Sequence, residues 1–229
     1  YGGILNEDTA QEVWKLCEGR LAEEDMSVRG IIRMSNVELM CTTDDPADSL
    51  YWHREIAGDD SIEFRVLPTW RPDRALSIEK KDFVEYMGQL SQASGKEIRC
   101  LDDWKEALLE RMEYFAKMGC LASDHGLLYV PWVKADEHEI AGIFEARMQG
   151  NKVSREDELK FKTAAMLWLG EEYARRGWVM QLHFGVTRDN NTKMYQALGA
   201  DSGFDGIYNR VLINELSAFL DALCKEHAL

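Results

Sequence analysis

Three polar residues stand where an apolar run gives way to loop, and each can grip or move a proton on a small oxygenated molecule. Arg71 lies between two prolines in Pro68-Thr69-Trp70-Arg71-Pro72-Asp73-Arg74. Proline fixes φ and disfavours helix for the residue before it, so this strand end is stiff and extended. A rigid guanidinium there can clamp a carboxylate through two parallel hydrogen bonds, or it can pair with Asp73. Asp124-His125 follows an apolar stretch and precedes Gly126. Asp124 can act as a base, accept hydroxyl hydrogen bonds or orient the imidazole of His125, and it can equally be a turn residue. His183 shares a strand face with Gln181 and can donate to a substrate oxygen or ligate a metal; a rim or core role is the alternative.

Two further groups are weaker. Thr42-Thr43-Asp44-Asp45-Pro46 sets hydroxyls and carboxylates at a strand-to-helix junction, where Asp45 is a supporting candidate and helix capping explains much. After His183 comes the polar loop Thr187-Arg188-Asp189-Asn190-Asn191, in which Arg188 and Asn190 are candidates. His53 reads as structural or surface, and His138 and His227 as solvated. The sequence holds no HxH, HExxH, GxGxxG, Walker loop or GxSxG, so it names no zinc, nucleotide or serine-hydrolase site by motif.

The elements that must position these residues alternate. Amphipathic helical spacing runs over 6–24, with Asn6 as its cap, over 77–95, 102–118, 135–150, 154–176 and 208–226. Strand-like runs end at the four polar tips near residues 42, 68, 122 and 186. Helix followed by repeated strand and helix predicts parallel strands with crossover helices in one α/β domain over 1–229. A complete (β/α)8 barrel needs about eight strands in roughly 250 residues. Four strands with long loops predict part of such a TIM-type barrel, with an open doubly wound sheet as the alternative.

Composition narrows the partners. With 41 acidic and 27 basic residues among 229, the net charge is -14, which argues against nucleic acid and anionic membrane surfaces. The five scattered cysteines lack CxxC spacing and read as the reduced thiols of a cytoplasmic protein. The chain opens on Tyr1 rather than Met, as an excised piece of a longer protein would.

Taken together, the motifs resemble the uronate isomerases of the amidohydrolase superfamily. They are Thr42-Thr43-Asp44-Asp45-Pro46 with His53, Pro68-Thr69-Trp70-Arg71-Pro72-Asp73, Gly119-Cys120 with Ser123-Asp124-His125-Gly126, Gln181-Leu182-His183-Phe184-Gly185, Arg188-Asp189-Asn190-Asn191 and Leu198-Gly199-Ala200-Asp201-Ser202-Gly203. The resemblance implies a distorted (β/α)8 barrel that interconverts D-glucuronate and D-fructuronate, or D-galacturonate and D-tagaturonate. It implies substrate binding by Arg71, catalytic roles for Asp124 and His183, and supporting roles for His125, Asp45, Arg188 and Asn190. It also implies a divalent metal, commonly zinc, held by an HxH pair and a late aspartate that this sequence does not contain. The expectation is therefore a homo-oligomeric isomerase of which this chain is the central segment, inactive alone. A non-catalytic sugar-acid-binding domain and a metal-dependent hydrolase are the alternatives.

Overall fold

The computed structural model describes residues 2–209 and 213–225, and these fall into two compact units. The first comprises the residues up to Cys41 and Tyr51–Leu67. It holds α1 (Ala10–Leu21), α2 (Val28–Met34), β1 (Leu39–Cys41), α3 (Tyr51–Ala57) and β2 (Arg65–Leu67). β1 and β2 are parallel, with Leu39 opposite Arg65 and Cys41 opposite Leu67. Parallel neighbours need a crossover, and α3 lies on it. α1 is shorter than its periodicity predicts. Thr9 takes the N-cap position, and Asn6 instead accepts the Thr9 N–H through Oδ1 at 3.1 Å. Its apolar stripe stays open: no residue of α1 is buried, and Trp14 is 68% exposed. His53 is buried, which favours the structural side of its two readings.

The second unit comprises Thr42–Leu50 and the chain from Pro68 onward. It holds α4 (Asp73–Leu76), α5 (Phe83–Ser94), α6 (Leu101–Lys117), β3 (Ala122–Leu127), α7 (Glu137–Met148), α8 (Arg155–Arg176) and β4 (Val179–Phe184). Short strands β5 (Val186–Thr187) and β6 (Gly206–Ile207), which pair antiparallel, flank α9 (Thr192–Leu198), and α10 (Ile213–Lys225) follows. β3 and β4 pair in parallel over six residues, Ala122 opposite Val179 through Leu127 opposite Phe184. The parallel pattern extends further. Asp124 N donates to Trp70 O at 2.8 Å, Trp70 N to Ala122 O at 3.1 Å, and Arg71 N to Asp44 O at 2.9 Å. Asp44, Trp70, β3 and β4 thus lie side by side in chain order, the sequential parallel arrangement that alternation predicts.

α8 begins and ends for a local reason. Ser154 accepts the Asp157 N–H at 3.1 Å to open α8, and Gly177, at φ 66°, closes it in the left-handed region that costs glycine no Cβ clash. α5 starts at Phe83 rather than at Ser77, because 77–82 form turns in which Ile78 is fully buried. An apolar residue buried from a turn imitates a helical period. α5 nonetheless buries Phe83, Tyr86, Met87 and Leu90 as its spacing predicts, and α6 buries Trp104, Leu108, Met112 and Phe115. The faces of α5 to α8 meet in an aromatic core where Phe83, Phe144, Phe161 and Trp104 contact one another. Each such side chain contributes about 1.5–3 kcal/mol on burial. α10 buries Phe219 and Leu223 and half-buries Leu216, whereas Leu212 and Glu226 lie outside the described residues. Cys120 is buried and Cys41 is exposed. No described helix is long and apolar enough to cross a membrane.

Candidate functional site

Strand alternation builds the site. Side chains two apart on a strand share a face, so Asp124 and Gly126 of β3 look the same way, as do Gln181 and His183 of β4. The parallel register sets Asp124 opposite Gln181 and Gly126 opposite His183. Asp124 is therefore within β3 and not in a turn after it, because pairing with β4 overrides the local Asp-x-Gly turn preference. His183 Nε2 lies 2.9 Å from Asp124 Oδ1, and Gln181 Nε2 donates to the same oxygen at 3.3 Å. Asp124 is buried, while the His183 side chain keeps 40% of its surface. A buried carboxylate oriented by an amide and backed onto a half-exposed imidazole is an acid–base arrangement.

Arg71 reaches the same face from the neighbouring strand end. Trp70 points into the core, edge-on to Phe115 with ring centroids 5.0 Å apart, so the next side chain points the other way. Its guanidinium is held on two sides. Nε donates to Asp73 Oδ2 at 2.9 Å, and NH1 lies 3.5 Å from Asp124 Oδ2. Of the two sequence readings of Arg71, the pairing with Asp73 is present, and the residue also lines the cavity. Burial works to lower the Arg71 pKa, and the hydrogen bond and charge of Asp73 outweigh it, leaving the group above its usual value. Burial likewise pushes the Asp73 carboxyl above the usual carboxylate range, against the pull of Arg71.

These groups open on a cavity of about 450 Å³ within the second unit. Arg71, Asp73, Gly126, His183 and Arg188 line it, as do Arg155, Glu158 and Lys162 of α8. Lys162 Nζ is spoken for, 2.7 Å from Glu158 and 2.9 Å from Glu79. The exposed Arg188 lines the cavity while bound to Asp205 Oδ2 at 2.7 Å.

The other sequence candidates are placed differently. His125 faces the opposite side of β3, fully buried, with Nε2 3.1 Å from the Tyr173 hydroxyl of α8. Burial, then the charges of His183 and Arg71, pull its pKa down to about 3, so it is neutral at ordinary pH. Asp45 accepts the Ala47 N–H and the Tyr86 hydroxyl, each at 2.9 Å, and does not line the cavity. Asn190 donates to Thr187 O at 2.8 Å and braces its own loop. Two residues of the site go unread in the sequence. Asp73 registers there as a competitor for Arg71 and Gly126 as a turn former, and neither receives a site role from the motifs that contain it. The two lie 53 residues apart and meet through tertiary structure alone, since Gly126 N donates to Asp73 Oδ2 at 3.1 Å.

The donor set does not suit a metal. Among the described residues no group of three or more His, Cys, Asp or Glu side chains is placed to hold an ion. Asp124 and His183 are turned toward each other, with a guanidinium beside them.

A family model described as glucuronate isomerase matches residues 2–229. The chain belongs to that family. Uronate isomerases from Lachnoclostridium phytofermentans and Lachnospira eligens are 49% and 48% identical to it over 223 residues, 97% of this chain and 48% of each relative. The chain thus spans about half the length of the relatives it matches. Among solved structures, uronate isomerase from Thermotoga maritima superposes with a TM-score of 0.89 at 33% identity, over 96% of this chain and 49% of that one. Glucuronate isomerase from Caulobacter crescentus gives 0.87 at 23% identity, covering 96% and 46%, and agrees in fold. The parallel strands and crossover helices are accordingly those of a TIM-type barrel.

Proposed function

We propose that this chain carries the sugar-acid-binding and proton-transfer face of an aldose–ketose isomerase acting on hexuronates, D-glucuronate to D-fructuronate or D-galacturonate to D-tagaturonate. One observation carries the reading. The buried Asp124 carboxylate lies within 3.5 Å of both the Arg71 guanidinium and the half-exposed His183 imidazole, and Arg71 and His183 line a single cavity. A hexuronate presents complementary chemistry, a carboxylate at one end and an aldehyde with an adjacent hydroxyl at the other.

In this reading the Arg71 fork takes the substrate carboxylate. The His183–Asp124 pair moves the proton: a base removes it from C2 as the C1 carbonyl oxygen gains one, giving the enediol. The proton is then returned to C1 as the O2 hydroxyl proton leaves, giving the ketose. Asp124 stabilises the imidazolium formed in passing. Arg188 lies where it can meet a substrate oxygen, while His125, Asp45 and Asn190 hold the backbone that carries the site. The reading includes the soluble, cytoplasmic homo-oligomer of an amidohydrolase-superfamily enzyme, with 1–229 as one segment of its barrel. A divalent metal, zinc by the family resemblance, belongs to it only with ligands outside the described residues, and no step above runs through it.

The test is solvent deuterium exchange. In the full-length protein, NMR should show deuterium from solvent entering the substrate carbon skeleton, and His183→Asn should slow this by on the order of 10²-fold or more. Binding of the hexuronate without exchange would replace catalysis by a sugar-acid-binding role.

A further inference from the structure

Asp73 is given no role of its own by the sequence motifs, yet its two carboxylate oxygens are placed differently in the site. Its Oδ2 accepts two hydrogen bonds, from Arg71 Nε at 2.9 Å and from Gly126 N at 3.1 Å. Its Oδ1 is buried and without a hydrogen-bond partner. A buried acceptor left unsatisfied is costly, so this carboxylate is retained at a cost to stability for what Oδ2 does. What Oδ2 does is tie the loop bearing Arg71 to the backbone of β3.

Gly126 completes the arrangement. A Cβ built there would stand 2.5 Å from Arg71 NH2, 3.1 Å from Asp73 Oδ2 and 3.1 Å from His183 Cε1. Any side chain would therefore displace the guanidinium or the imidazole. The guanidinium is plane-fixed: Nε is held by Asp73, NH2 lies over the bare glycine, and NH1 leans toward Asp124. Since Arg71 has five N–H donors in one rigid fork, holding Nε determines where the other four point.

We propose that Asp73 and Gly126 are positioning residues: together they form a cradle that sets the Arg71 fork toward the cavity for the carboxylate of the substrate. This rests on the isomerase reading above for the identity of that carboxylate. Asp73 acts through Arg71 and not on the substrate, because Oδ2 is taken by Arg71 Nε and Gly126 N and Oδ1 is buried.

The experiment compares wild type, Asp73→Asn, Asp73→Glu and Gly126→Ala in the full-length protein. It reads KM and kcat for the hexuronate and the inhibition constant of the corresponding uncharged hexuronamide. Asp73→Asn and Gly126→Ala should raise the hexuronate KM by on the order of 10-fold or more, within the range that misplacement of a binding group produces. The hexuronamide constant should move less than about 2-fold, and Asp73→Glu should recover part of the loss. An unchanged KM overturns the proposal. So does a parallel rise in both constants, which would mark general damage. If wild type does not isomerise hexuronates, the functional reading falls by itself. The cradle is then judged by the Arg71 Nε–H signal in 15N–1H spectra, assigned by Arg71→Lys. Faster solvent exchange of that proton in Asp73→Asn supports the cradle, and an unaltered signal overturns it.

Discussion

Asp124 is the most heavily committed side chain of the site, facing His183, Gln181 and Arg71 at once. Its neighbour His125 shows what the other face of the same strand demands. With a folded pKa near 3 and an ordinary value of about 6.5, His125 binds fewer protons folded than unfolded between those limits. The stability tied to its neutral form is thus complete above pH 6.5 and lost as pH falls toward 3. By pH 5 the loss is about 2 kcal/mol. Urea unfolding between pH 4.5 and 7 should show this slope, and His125→Gln should flatten it while keeping a polar partner for Tyr173. Equal slopes in both proteins would remove His125 from the account. At this scale Arg71, Asp124 and His183 are legible in the sequence because each is a polar residue ending an apolar run. Asp73 and Gly126 are not, because a carboxylate two residues from an arginine and a glycine after a histidine have ordinary local explanations.

Elements with both a period and a cap are read best. α8 carries Ser154 at its start and Gly177 at its end, and α6 presents an uninterrupted apolar stripe. The errors fall where tertiary contacts overrule local preference, at the turns around Ile78 and at the strand residues Asp124 to Leu127. The packing of α10 on α8 was beyond reach of any local signal. It depends on Gly170, whose added Cβ would stand 2.7 Å from Leu223 Cδ2. Gly170→Val should cost about 1–3 kcal/mol by overpacking. Leu223→Ala alone costs about 2–5 kcal/mol through its cavity, and the double variant should cost less than the two together. Chemical denaturation of the four proteins measures the coupling, and simple additivity would mean that the two helices do not meet through this pair.

For the molecule as a whole, charge and exposed apolar surface pull in opposite directions. A net charge of -14 favours solubility and repels phosphate backbones. Against it, the first unit leaves Trp14 68%, Leu21 62% and Val28 77% exposed. Large apolar side chains left this exposed favour association. Sedimentation velocity of the 229-residue polypeptide should show a coefficient that rises with concentration, and Trp14→Glu should suppress the rise. A concentration-independent monomer would refute this.

The parallel pairing of β3 with β4 also orders events during translation. Asp124 and Gln181 are separated by 57 residues, most of them in the crossover that contains α7 and α8. At roughly 5–20 residues per second, the ribosome adds Gln181 about 3–11 s after Asp124. His183 follows just behind. Arg71, by contrast, has already left the peptidyl-transferase centre when Asp124 is made. The nascent Asp124 therefore has the Arg71 guanidinium available before His183 has been synthesised.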